Sequence, residues 1–357
     1  MTDFQEILFA QYERYPEMTG QDFAKLIFQS EFGVGHFISS PAAAWKRLQD
    51  EYMACQRKPE PEVVPPLFEE IGGGYGRVNL LPLPGAGLSL STIAQWFILS
   101  AQNPSSGAHN VESKLDLLLK LCRSGKIKLP YLELAEYIHE FRETGYPAQH
   151  HSEVYRERYQ PAYRVVDWKF IQFHQVFSQI DSLLGSKQHV LVAIDGYSGA
   201  GKSSLAQLLG QVYDCTIFHM DDFFLPEEMK TCERLAEPGG NVHYERFHSE
   251  VMLNLAARRP FQYGVFDCGS QRITEERCVV PKRLNIVEGV YSLHPVLERF
   301  YDFKIVLQVD PTAQRERILA RSGPALLTRF EKEWIPLENR YFTELGVLDK
   351  ADLVLTT

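Results

Sequence analysis

The sequence predicts two domains of different class: a mainly α-helical N-terminal domain over residues 1–165 and a parallel α/β domain over residues 166–357. Three observations carry this reading. The 357 residues exceed the roughly 250–300 at which one hydrophobic core usually divides, and an apolar content of 45% can build two cores. In the first half apolar residues recur at three- and four-residue spacing, the period of an amphipathic helix. In the second half short β-branched runs alternate with helix-forming stretches, as in a parallel sheet flanked by helices.

In chain order, helices are expected over residues 4–15, 20–30, 41–54, 91–101, 111–123 and 131–142. Between the third and fourth, clustered Pro and Gly in KPEPEVVPPLFEEIGGGYGRVNLLPLPGAG forbid long helices and favour turns with one short strand at 77–81. A further helix over 167–184 leads into the second domain. There, strands are expected at 189–195, in CTIFHMDDFFLP at 215–226, in RLNIVEGVYSLHP at 283–295 and at 303–310. After the last of these, Pro311 and Thr312 open a helix that Gly323 and Pro324 end early.

The densest signal is GYSGAGKSS at 196–204, placed between a buried strand and a helix-forming segment. This is the order of a P-loop, which makes the second domain an α/β P-loop NTPase fold. Backbone N–H groups along Gly196, Ser198, Gly199, Ala200 and Gly201 would cradle a triphosphate, and the following helix N-terminus, with Ser204 in its first turn, favours anions. Lys202 would reach the terminal phosphates and Ser203 would hold Mg²⁺. The alternative, a flexible Gly/Ser turn, has no need of a lysine at that position.

Two acidic strand ends follow. Asp221 and Asp222 close the strand at 215, where an acid can orient Mg²⁺ and accept the proton of an attacking hydroxyl; the structural alternative is a capping Asp–Asp turn with Phe223 and Phe224 in the core. Glu288 closes the strand at 284, either as a second carboxylate of the magnesium shell or as a surface strand end. Arg315, Arg317 and Arg321 share the helix after the strand at 303, which suits a lid over phosphates as well as a solvated helix face.

A net charge of −9 and a pI near 5.7 argue against binding nucleic acid through bulk charge. The six cysteines contain no CxxC pair and read as reduced thiols. No run of about 18 apolar residues occurs and the start lacks a signal-peptide pattern, so a cytoplasmic protein with no membrane partner is expected.

Residues 186–357 resemble the uridine kinase and phosphoribulokinase group of P-loop kinases. The resemblance rests on AIDGYSGAGKSS, HMDDFF, GNVHYERFHSEV, YGVFDCGSQR, NIVEGVYSLH and the strand-to-arginine-helix segment, in the family's order. It implies Asp221 as general base and, with Ser203 and Glu288, as part of the Mg²⁺ shell, while Lys202, Arg317 and Arg321 would neutralise the transferred phosphoryl group. It also implies a substrate side made by Phe224, His243, Tyr244, His248, Asp267 and Gln271. Two of these depart from the nucleoside-reading pattern: His248 stands where uridine kinases carry an aspartate for the ribose, and Gln271 falls near their base-reading histidine. Uridine is therefore not carried over as the substrate. His294 reads as a packing histidine or a further substrate neighbour.

The first half resembles an accessory domain found with such kinase-like proteins in bacteria, through EFGVGH, GRVNLLP and GYPAQHHSEVYRERYQPAYRVV. No activity transfers from that resemblance. His36, Arg77, Asn79, His150, His151, Tyr155 and Arg158 lie beside glycines and prolines, where they form either a small site or buried polar staples. A metal site from His36, His109 and His150 or His151 has no motif spacing behind it. The expected activity is transfer of the γ-phosphoryl of Mg·ATP to a hydroxyl of a nucleoside-like or polyol small molecule. The alternative is a nucleotide-dependent regulatory ATPase whose N-terminal domain binds a partner. A homo-oligomer is left open.

Overall fold

The computed structural model describes residues 3–33, 40–59, 61–102 and 110–357, which fall into two compact units, 1–181 and 182–357. The division lies within the helix His174–Ser186, later than the expected 165. The reason is packing: Phe170 and Phe177 set their rings against buried Trp96 at 5.7 and 4.9 Å, which ties the residues after 165 to the first core.

In the first unit the six expected helices are present at Phe4–Arg14, Gly20–Phe32, Pro41–Arg57, Leu90–Gln102, Val111–Arg123 and Tyr131–Glu143. Their starts follow capping chemistry: Ser40 accepts from the Ala43 amide ahead of a first-turn proline, and Thr19 with Asp22 forms a capping box. A seventh helix, Glu153–Tyr159, is too short to show a period, and the stretch expected as one helix over 167–184 is two, Trp168–Gln172 and His174–Ser186. The single strand expected here is a three-stranded antiparallel sheet instead. It consists of β1 (Phe68–Gly72), β2 (Tyr75–Asn79) and β3 (Tyr163–Asp167), in the order β1-β2-β3. All five residues of central β2 are buried, Arg77 among them. Its guanidinium donates to the Gln29 and Gln11 carboxamides and lies 4.5 Å from the Tyr163 ring centroid.

Beside this sheet, buried Asp22 accepts from His151 Nδ1 at 2.9 Å and from the amide and hydroxyl of Ser152 at 3.0 and 2.6 Å. Burial, reinforced by Arg77 and Lys25, lowers the His151 pKa from 6.5 to about 4 despite Asp22. Burial also opposes ionisation of Asp22, but hydrogen bonds from His151, Ser152 and Thr19 win and bring it from 3.8 to about 2. Between pH 6.5 and 4 the unfolded chain therefore binds a proton at this histidine that the folded chain refuses. Stability is expected to fall on acidification through that window, by up to about 1.4 kcal/mol per pH unit. Below it, Asp22 continues the loss, since its carboxylate protonates first in the unfolded chain. The groups facing the imidazole are Asp22, Tyr155, Tyr163, Arg77 and Lys25. Urea midpoints at pH 7, 6 and 5 check this; an equally steep slope in His151→Asn would refute the assignment.

The second unit is a five-stranded parallel sheet in the order β10-β9-β4-β8-β5, where β4 is Val190–Gly196, β5 Cys215–His219, β8 Leu284–Glu288, β9 Phe303–Gln308 and β10 Leu353–Thr356. Four of these strands were expected, and the short closing strand β10 was not. Its core joins Phe218, Phe223, Phe247, Val287 and Val306. Between β5 and β8 the chain also forms an antiparallel hairpin of β6 (Phe261–Asp267) and β7 (Arg272–Val279), which parallel alternation alone does not anticipate. The connecting residues are too few for the helical crossover that a parallel pair needs.

Candidate active site

Central β4 has β9 on one side and β8 on the other, so the chain leaving it enters the crevice beyond the strands' C-terminal ends, where open α/β sheets bind ligands. The loop that follows is held from several directions. Buried Asp195 accepts from the amides of Gly196 (2.7 Å), Tyr291 (3.2 Å) and Leu293 (2.9 Å) and from the Tyr341 hydroxyl (2.7 Å). Gly196 has φ 144°, and a Cβ there would stand 2.2 Å from the Leu307 carbonyl oxygen, so only glycine fits. Gln314 donates to the Ser198 carbonyl at 2.9 Å. The amide of Ser198 donates to Glu338 at 2.9 Å and its hydroxyl donates to the same carboxylate, which burial shifts upward in pKa.

The helix Lys202–Val212 starts directly from Gly201. Lys202 Nζ folds back onto the carbonyls of Gly196 and Tyr197 at 2.9 and 3.0 Å, poised above its own loop. A cavity of about 330 Å³ opens here, lined by Gly199, Gly201, Lys202, Ser203, Ser204, Arg317 and Arg321. A Cβ added at Gly201 would meet nothing within 4 Å, so open space lies against the loop at that point. The two arginines come from the helix Pro311–Arg329, which does not end at Gly323 as expected but breaks there (φ 77°) and resumes with Pro324. Arg317 donates to the Gly199 carbonyl at 3.2 Å, and Arg321 lies over the Phe330 ring. Ala200, within the loop, is buried.

Parallel register brings the acids in. Glu288 is aligned with Ile194 on β4 and with His219 on β5. Ser203 Oγ donates to the two oxygens of Glu288 at 3.2 and 3.1 Å, and His219 Nδ1 meets Oε1 at 2.6 Å. That hydrogen bond raises the His219 pKa against the opposing effect of burial. The next residue after Glu288, Gly289 (φ 137°), must lack a Cβ because Met220 Cβ would be 2.6 Å away. This close passage sets β8's exit against the turn Met220–Phe223, which carries the two acids.

The acids differ in their surroundings. Asp222 is bound by Arg277 at 2.8 Å and by the Tyr263 hydroxyl at 3.3 Å. Asp221 has no hydrogen bond or ion pair among the described residues. Its side chain is reachable by solvent yet crowded by protein; the crowding, then the Glu288 charge, raise its pKa, while Lys202 and His219 pull it down.

The residues expected on the substrate side have local partners. Phe224 bridges Val242, and His243 caps the short helix after it by accepting from the Arg246 amide at 3.3 Å. Tyr244 is sandwiched between the His294 ring, stacked at 3.9 Å, and Arg234, 4.1 Å from its centroid. His248 sets its ring edge-on to Phe300 and buries an Nε2 that lacks a hydrogen bond among the described residues. Asp267 and Gln271 sit at the hairpin tip, where Asp267 accepts from Ser270 and Gln271 donates to the Cys268 carbonyl. Asp195, His219, Glu338 and Gln314 were not singled out in the sequence. For His219 a signal existed, since it directly precedes the Met-Asp-Asp strand end.

His36 and His109 lie outside the described residues, and among the described residues no cluster of three or more His, Cys, Asp or Glu that could hold a metal ion occurs. No described helix is long and apolar enough to cross a membrane. No protein-family model and no curated protein sequence matches the chain. Among solved structures it is similar to one described as a possible uridine kinase from Bacillus stearothermophilus, at 20% identity over 51% of this chain and 99% of that one, with a TM-score of 0.39. It is also similar to a protein from Thermus thermophilus, at 18% identity over 48% and 90% of the two chains and a TM-score of 0.27. An uncharacterized protein from Eubacterium ventriosum shares 12% identity over 47% and 88%, with a TM-score of 0.28.

Proposed function

We propose that the second unit is an ATP-dependent kinase that moves the γ-phosphoryl group to a hydroxyl of a small nucleoside-like or polyol acceptor. One observation supports this reading above the others. Asp221, free of partners among the described residues, lies near enough to Glu288 and Lys202 to feel their charges, and Lys202 lines a cavity with the loop glycines, Ser203 and two arginines. In the proposed reaction the loop amides and Lys202 hold the β and γ phosphates, Asp221 orients the acceptor and takes its proton, and Arg317 and Arg321 offset charge on the equatorial oxygens during in-line displacement. The hard oxygens of Ser203 and Glu288, without a dense protein cage, fit Mg²⁺, which prefers one or two carboxylates plus phosphate oxygens. Ser203 and Glu288 would hold the ion, which would supply Lewis-acid stabilisation of negative charge on the phosphates.

The test is ATP consumption by the full chain against nucleosides, vitamins and sugar alcohols, with mass detection of product. A phosphorylated acceptor formed in proportion to ATP used is the expected result. Hydrolysis that no acceptor alters would instead favour a nucleotide-driven regulatory ATPase.

A further inference from the structure

A cavity larger than the one at the P-loop lies elsewhere in the chain. It lies within the first unit, measures about 680 Å³, and is in the size range of pockets that hold small organic molecules. Its lining is chemically lopsided. Lys25, Arg47, Lys58, Arg156 and Arg164 contribute five cationic side chains, against the two carboxylates of Glu51 and Glu69. Both carboxylates are already engaged: Arg164 donates to Glu51 at 2.7 Å, while Glu69 accepts from Arg14 at 3.2 Å and from the Tyr15 hydroxyl at 2.7 Å. Lys25, Arg47, Lys58 and Arg156 have no ion-pair partner among the described residues. The polar wall is built rather than incidental. Tyr163 sits 2.7 Å from His151 Nε2, and His151 Nδ1 sits 2.9 Å from Asp22. Because the carboxylate requires a proton on Nδ1, Nε2 accepts from the Tyr163 hydroxyl, which fixes that hydroxyl's orientation, and the phenol oxygen accepts in turn from Gln29 Nε2 at 3.3 Å. Buried Arg77 beneath the Tyr163 ring adds positive potential that no carboxylate contacts.

We propose that this cavity is a second ligand site of the chain, taking a small organic anion whose carboxylate or phosphate group is met by Lys25 and the neighbouring arginines against the Tyr163–His151–Asp22 wall. Enclosure strengthens each charge interaction, because the surrounding medium is less polarisable than water. Among the described residues Lys25 donates only to the Gln149 carbonyl, at 2.6 Å, and burial with Arg77 nearby lowers its pKa to about 8, so a bound anion would also secure its proton. The site is separate from the proposed phosphoryl-transfer chemistry, and its occupancy does not depend on that chemistry.

The experiment uses the full chain labelled with ¹⁵N-histidine, titrated with inorganic phosphate and, separately, with citrate, while the His151 ring resonances are followed. His151→Asn assigns the signal; should that variant fail to fold, Lys25→Gln, at a half-buried position, carries the test alone. The expected result is saturable movement of the His151 signal by at least one probe, weakened about tenfold or more in Lys25→Gln, equivalent to about 1.4 kcal/mol, and unchanged in Lys202→Ala. The stronger probe tells whether phosphate or carboxylate is preferred. The proposal is overturned if neither probe moves the signal at tens of millimolar, if Lys25→Gln binds as the native chain does, or if Lys202→Ala abolishes the response, which would assign the anion to the P-loop.

Discussion

Replacing Lys202 by alanine is expected to abolish phosphoryl transfer, with kcat/KM falling by about 10²–10³-fold or more, while the protein stays folded. The side chain is buried in the loop and, among the described residues, its ammonium donates only to the Gly196 and Tyr197 carbonyls. Those two bonds are worth on the order of 1 kcal/mol each to stability, a loss the second unit's core absorbs. In the transition state the same ammonium would lie against the terminal phosphates, where charge builds and water is excluded, so its loss weighs on rate rather than on fold. Initial rates with the acceptor identified in the panel, beside a circular-dichroism melting curve, make the check. A variant with native turnover would remove the P-loop from the reaction.

The second large effect is expected from Asp221→Asn. Losing the proton acceptor should lower kcat by about 10²–10⁴-fold, with KM for ATP changed by no more than about twofold. Asp222→Asn is the internal control. That carboxylate is held by Arg277 and Tyr263, so its replacement should loosen the contact with β7 and cost stability before it costs rate. Steady-state kinetics on both variants distinguish the two acids. Turnover retained in Asp221→Asn and lost in Asp222→Asn would exchange their roles.

Much of the second unit was legible because its signals are local. A β-branched run before GYSGAGKSS, the acids at the ends of two apolar stretches and Pro311 at a helix start each state their conformation within a few residues. The hairpin β6–β7 and the last strand were not legible, since their pairing is chosen by edges that other segments expose. In the first unit the helices had period and caps, whereas β1 and β3 are short, and β3 joins β2 across a separation of many residues. Pairing over such a distance leaves no pattern in either segment alone. The break at Gly323 had a local cause in Gly-Pro, but the helix resumes because proline suits a first turn as well as it ends a previous one.

The sequence by itself carried the P-loop pattern, since the spaced glycines 196, 199 and 201, Lys202 and the Ser203 hydroxyl, between a strand and a helix, are all near neighbours in the chain. Tertiary structure decided everything that depends on register and enclosure. It aligned His219 with Glu288, drew Ser203 to the same carboxylate, and separated Asp221 from Asp222 by giving only the second an arginine. It also brought Lys25 together with His151 and Tyr163, which follow it by more than a hundred residues, around a cavity in the first unit. Charge and hydrogen bonding act through space over a few ångströms, so the residues that complete a site are chosen by how strands and helices pack, and a linear pattern does not record that choice.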